Sequence, residues 1–213
     1  MTDFNGVEVE LLAHASVKLE NSVKIYIDPW SEVMDSFEEA DIIVSTHDHF
    51  DHFDLDAIEN LRKEDTVLIC TEHSEDKVPE DMAYKIISSG TEVEVYGVKF
   101  RGVKAYNVDK YSEEGESFHP EGFCTGVVFE LEDTAFYHLS DTDPIPDMRE
   151  VSDVDVAFVP IGGKYTMDQE EALEAVEMID PETVVPIHYN VVEGTEADPE
   201  RFKDEAGVSV KIL

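Results

Sequence analysis

The chain reads as an α/β protein. Short apolar runs of strand length recur from one end to the other, amphipathic stretches of helical period separate several of them, and no run approaches the ~18 residues of a membrane span. At 213 residues the chain is long enough to bury a core without a metal or disulfide, and residues 1–213 are read as one domain.

Each element has a local reason. Val7, Val9 and Leu11, then Ser16 to Glu20, then Val23 to Asp28 have strand patterning, with Asn21 and Ser22 as the turn between two of them. A helix is expected around Ser31 to Ala40. Asp41 to Thr46 is a continuous apolar strand of the kind covered on both faces. Asp54 caps a short helix over Leu55 to Arg62, and Thr66 to Thr71 is the next buried strand. Further strands are expected at Glu92 to Tyr96, Val98 to Ala105, Thr125 to Leu131 and Thr134 to Leu139, the last pair joined by Glu132-Asp133. After a strand at Asp155 to Ile161, Thr166-Met-Asp-Gln169 forms a capping box ahead of Ala172, Ala175, Val176 and Ile179. That spacing predicts a helix from Met167 to Ile179 with one apolar face. Thr183 to Ile187 is a strand, Pro199 to Ala206 a helix and Val208 to Leu213 a closing strand.

Composition excludes several functions. Asp and Glu number 51 against 15 Lys and Arg, a formal net charge of −36, which disfavours nucleic acid and anionic membranes as partners. A small-molecule substrate is the expected partner, and a homo-oligomer is left open. Cys70 and Cys124 both lie in apolar segments and the first ten residues have no leader-like pattern, so a cytoplasmic protein without disulfides is expected. No Gly-x-Ser-x-Gly elbow is present.

The chemistry concentrates at Thr46-His-Asp-His-Phe-Asp-His52, directly after a buried strand, where three of the eight histidines fall. In extended backbone His47 and His49 point the same way and can share one ion, while Asp51 and His52 reach a second as the chain turns. This run resembles the His-x-His-x-Asp-His signature of the metallo-β-lactamase superfamily. Tyr137-His-Leu-Ser-Asp-Thr-Asp143 is similar to that family's strand ending in a metal-bridging aspartate, and Pro186-Ile-His-Tyr189 to its last strand ending in a histidine ligand. Ala13-His14-Ala-Ser16, Asp28-Pro29-Trp30 and Ile161-Gly162-Gly163-Lys-Tyr165-Thr166-Met167 resemble the branch that contains L-ascorbate-6-phosphate lactonase.

The resemblance implies a four-layer αβ/βα sandwich with metals at one edge. It implies a metal set of His47, His49, Asp51, His52, Asp141 and His188, completed by His119. Many relatives carry a histidine where Asn107 stands; His119 is the preferred replacement and Asn107 the other candidate. One or two divalent transition-metal ions are expected, zinc first, with manganese, iron or nickel as other occupants. Asp28 suits holding a ligand imidazole's second N–H. His14, Tyr165 and Tyr189 are candidates for substrate or supporting contacts, and Lys164 is one of few cations near the site. His73 is expected on the surface and His138 facing away.

The implied activity is hydrolysis of an ester, lactone or phosphoester by a metal-bound hydroxide, with Asp51 orienting it or returning a proton to the leaving group. The alternative is a non-catalytic metal-binding or regulatory protein on the same fold. Diiron oxidoreductases of this fold usually replace the second histidine of the run with glutamate; here it is His49.

Acid is spread over every segment, which reads as a solvated shell suited to a salt-rich cytoplasm. Dialysis into dilute buffer is expected to reduce the helical circular-dichroism signal as screening is lost, and full retention of that signal would reject a halophilic origin.

Overall fold

The computed structural model describes residues 1–213, and its two halves build two sheets on one plan. The first sheet contains β1 (Thr2–Phe4), β2 (Val7–Ala13), β3 (Ser16–Glu20), β4 (Lys24–Ile27), β5 (Ala40–Val44), β6 (Arg62–Cys70) and β7 (Ala83–Ile86), side by side in chain order. The second contains β8 (Glu92–Val95), β9 (Val98–Ala105), β10 (Cys124–Leu131), β11 (Thr134–His138), β12 (Val156–Pro160), β13 (Thr183–Ile187) and β14 (Ser209–Val210), also in chain order. In each sheet the first four strands pair antiparallel and the rest parallel. Three α-helices serve the parallel halves: α1 (Leu55–Leu61), α2 (Gln169–Ile179) and α3 (Pro199–Glu205). None is long and apolar enough to cross a membrane.

The strand periodicity explains the layers. Ile25, Ile27, Ile42 and Val44 of the first sheet meet Phe100, Val127, Phe129, Phe136, Phe158 and Val185 of the second in one cluster between the sheets. Their chain neighbours Tyr26 and Ile43 point the other way, onto Ala57, Ile58 and Leu61 of α1. Ala157, Val159 and Val184 pack likewise against Ala172, Ala175, Val176 and Ile179 of α2 and Phe202 of α3. Both faces of the central strands are therefore covered, which is why their sequence runs are continuously apolar. The layers form the expected αβ/βα sandwich, with few helices outside two mixed sheets.

Several boundaries differ from the sequence expectation. Ser31 to Ala40 is not a helix: a single 3-10 turn, Ser31–Val33, starts at Trp30 without a side-chain cap. Glu38 is held instead by Lys18 and Lys24, at 2.9 and 2.6 Å. The α2 capping box lies two residues later than expected. Asp168 accepts from the Glu170 and Glu171 amides at 2.9 Å while Glu171 accepts from the Asp168 amide at 2.8 Å, so the helix starts at Gln169. The closing strand shortens to Ser209–Val210, and the edge strands β1 and β7 were not expected, being short and partly exposed with no clean alternation. The Glu132-Asp133 hairpin forms, both residues left-handed at φ 49° and 58°, as a type I′ turn requires.

A row of rings, Phe100, Phe129, Phe136 and Phe158, crosses the second sheet at centroid spacings of 5.1, 5.4 and 6.3 Å. Phe136→Ala is expected to destabilise the fold by about 3–5 kcal/mol, read as a lower denaturant midpoint.

Candidate metal centre

The site lies where strands of both sheets end. β2 ends before His14, β4 before Asp28, β5 before the His47 to His52 run and β13 before His188. His14, Asp28, Ser140 and His188 all adopt left-handed backbone, with φ between 47° and 62°, a conformation that costs non-glycine residues ~1–3 kcal/mol each. The turns are stitched across the sheets: the His188 amide donates to the His14 carbonyl at 2.7 Å and the Thr125 amide to the Thr46 carbonyl at 3.0 Å. Within the second sheet, Gly162 after β12 lets the His188 turn lie against it, because a Cβ there would stand 2.1 Å from the His188 carbonyl oxygen.

Two clusters of donor atoms meet at Asp141. His47 Nε2 and His119 Nε2 each lie 3.1 Å from His49 Nδ1. A tetrahedral zinc site with ~2.0–2.1 Å bonds has nitrogen separations of about 3.3–3.4 Å, so this trio has the spacing of three ligands around one ion. His14, Asp51, His52 and His188 form the second cluster. Asp141 sits between them: Oδ2 is 3.2 Å from His119 Nε2 and 3.1 Å from His188 Nε2, and Oδ1 is 3.5 Å from His52 Nε2.

The far side of each ring decides where its lone pair points. His119 Nδ1 faces two acceptors, Asn107 Oδ1 at 2.8 Å and the Tyr165 carbonyl at 3.2 Å, so the proton sits there and Nε2 is bare. His52 Nδ1 donates to Asp28 Oδ2 at 2.8 Å, leaving a buried Nε2 with no hydrogen-bond partner. Thr46 Oγ1 donates to Asp28 and accepts from Ser140 Oγ, so it accepts from His47 Nδ1 at 3.2 Å. Three imidazole nitrogens thus face the other ring nitrogens and a buried carboxylate, an arrangement that positive charge in their midst stabilises. The residues present fit a divalent metal.

Electrostatics agree with the geometry. Burial holds His47 well below the ordinary histidine range and takes His119 down to about 4, so both are neutral at pH 7. Burial would also lower His52, but Asp141, Asp51 and Asp28 raise it well above its usual value, making its Nε2 a strong seat for a cation. Burial works to raise Asp141, yet His188 and His52 hold it well below the carboxylate range.

His119 enters the cluster, and Asn107 stands behind its ring. Asn107 Nδ2 in turn donates to Asp143 Oδ1 at 3.1 Å, and Asp143 Oδ2 accepts the Val108 and Asp109 amides at 2.6 and 3.1 Å. His14 Nε2 lies 3.0 Å from Asp51 Oδ2. A cavity of about 270 Å3 opens on the centre, and its wall includes His49, Asp51, His119, Asp141, Tyr165 and His188. Tyr189 does not reach it: half-buried, it packs against the apolar cluster behind the second sheet. His73 is exposed, and His138 is turned to the Ala15 carbonyl at 3.2 Å. Both cysteines are buried and free.

Sequence reasoning missed Thr46, Ser140, Asp143 and the supporting role of Asn107. The available signal was the clustering of short polar residues just after apolar strands, in Ser45-Thr46 and Ser140-Asp-Thr-Asp143.

A model of the β-lactamase superfamily domain matches residues 8–188. The chain is similar to a UPF0173 metal-dependent hydrolase of Thermococcus kodakarensis, 33% identical across 97% of this chain and 95% of the relative. It is similar in the same way to one of Pyrococcus abyssi, 32% identical over 97% and 95%. Among solved structures it is similar to Igni18, a metallo hydrolase from Ignicoccus hospitalis, with a TM-score of 0.79, 25% identity and coverage of 97% and 94%. The chain belongs to the metallo-β-lactamase superfamily and, within it, to the UPF0173 family of metal-dependent hydrolases.

Proposed function

We propose that this protein hydrolyses an ester, lactone or phosphoester at a two-metal centre, acting on a small molecule in the cytoplasm. The observation that carries the reading is Asp141, a buried carboxylate facing ring nitrogens of both clusters at 3.1 to 3.5 Å beside an open cavity. His47, His49 and His119 would hold one ion, Asp51, His52 and His188 the other, and Asp141 would lie between them. Mixed imidazole and carboxylate donors favour zinc, with manganese, iron and nickel as further occupants. The similarity of the His14, Asp28 and Gly162 motifs to the L-ascorbate-6-phosphate lactonase branch supports a lactone among the substrates.

Divalent ions bound there supply a water that ionises near neutral pH and positive charge for the oxygen that turns anionic. The chain's own residues do the rest. Asp28 and Thr46 keep His52 and His47 in the tautomers that aim a lone pair inward. Asp51, at the cavity wall with Oδ2 steadied by His14, accepts the proton of the attacking water and passes it to the leaving oxygen. Phe50, Phe118 and Val192 give the cavity wall its apolar part.

Elemental analysis of protein purified without chelator in high salt is expected to find about two transition-metal ions per chain. His119→Ala is expected to lower that number and His49→Ala to abolish ester turnover. One ion or none, unchanged in His119→Ala, would refute the two-metal reading; turnover surviving in His49→Ala would refute catalysis at this centre.

Asn107→Leu keeps the volume but removes the acceptor that fixes the His119 tautomer. A zinc affinity about 10–100-fold weaker in chelator competition is expected, with the unfolding midpoint much less affected.

A further inference from the structure

Resting on the hydrolytic reading above, we propose that the cavity takes an uncharged carboxylic ester or lactone with an apolar body, in preference to a phosphorylated compound. The walls away from the metal centre are Phe50, Phe118, Tyr165 and Val192. Phe118 meets Tyr165 edge to face at 4.9 Å, and Phe50, 68% exposed at the mouth, meets the buried Trp30 at 5.6 Å. In a chain of net charge −36, an open apolar mouth of this kind matches an apolar ligand.

Charge completes the argument. No lysine or arginine lines the cavity, and its only acidic wall residues are Asp51 and Asp141. Two of the three nearest lysines are paired with acids, and the third lies outside the wall. Lys110 is paired with Glu171 at 2.6 Å and Lys77 with Asp48 at 2.7 Å. Lys164 lies exposed over the Tyr165 ring, 4.8 Å from its centroid, with the Glu193 carbonyl 3.4 Å from its Nζ. A phosphate would enter against the field of the whole chain and, apart from the ions at the floor, meet no guanidinium or ammonium in the cavity wall. A neutral ester meets neither penalty. Its hydrolysis joins the water oxygen to the acyl carbon, breaks the bond from that carbon to the leaving oxygen and returns a proton to the alkoxide, with no reactant beyond water.

Trp30 is the only tryptophan and touches the wall through Phe50, so its fluorescence reports occupancy. The full zinc-loaded chain is titrated with phenylacetamide and with phenyl phosphate, and phenyl butyrate turnover is measured on the same samples. Phenylacetamide is expected to bind at least about tenfold more tightly, and Phe118→Ala to remove about tenfold of that preference with zinc content unchanged. Val192→Ala provides the same comparison where Phe118→Ala fails to fold. Tighter binding of phenyl phosphate, or a preference untouched by both variants, would overturn the proposal even where phenyl butyrate is hydrolysed. Preference for phenylacetamide with no turnover would retain the cavity's selectivity and refute the hydrolytic reading instead.

Discussion

A carboxylate buried at the seam between two sheets, surrounded by imidazole nitrogens, is stabilised by positive charge in their midst. Asp141 occupies that position, and much of the architecture follows from the need to assemble groups that repel one another. The assembly carries a conformational cost as well. His14, Asp28, Ser140 and His188 leave or follow their strands in left-handed backbone, and backbone bonds between the sheets hold these turns in place. Strain of this kind persists only where the surrounding structure over-determines it. Here the apolar layer between the sheets, from Ile27 and Val44 to Phe158 and Ile187, provides that rigidity.

Orientation is delegated to a layer of short polar side chains behind the histidines. Asp28 serves two of them, directly for His52 and through the Thr46 hydroxyl for His47. Asn107 serves His119, and Asp143 holds Asn107 by one oxygen while the other collects two backbone amides. The links between side chains are buried hydrogen bonds. Each therefore fixes a tautomer as well as a position, and a ring held in the wrong tautomer would present a proton where an ion needs an electron pair.

Surface and cavity follow opposite rules. Solvated acid covers the outside, and the basic residues near the site are drawn into pairs such as Lys110 with Glu171 and Lys77 with Asp48. The cavity wall is left aromatic and aliphatic, with its charge confined to the metal-facing floor. A site can thus sit in a strongly anionic protein without presenting that charge to a neutral ligand.

Much of this was legible in the residues. Central strands such as β5 and β12 are covered on both faces, so they appear as unbroken apolar runs, and the His47 to His52 run announces its chemistry by density alone. The edge strands β1 and β7 have too little burial to leave a pattern, and Ser31 to Ala40 departs from its helical pattern where Lys18 and Lys24, from other strands, draw Glu38. The sequence by itself determined an α/β chain and the stock of candidate ligands, through burial periodicity and residue chemistry that act locally, while the sandwich came from the resemblance of its motifs to a known superfamily. Only the tertiary structure decided that His119 faces the cluster with Asn107 behind it, that Tyr165 rather than Tyr189 lines the cavity, and that Asp141 stands between the two groups. Those outcomes rest on partners such as Asn107 and Asp143, 36 residues apart, or His119 and Tyr165, 46 apart, and no local pattern encodes a hydrogen bond made at that distance along the chain.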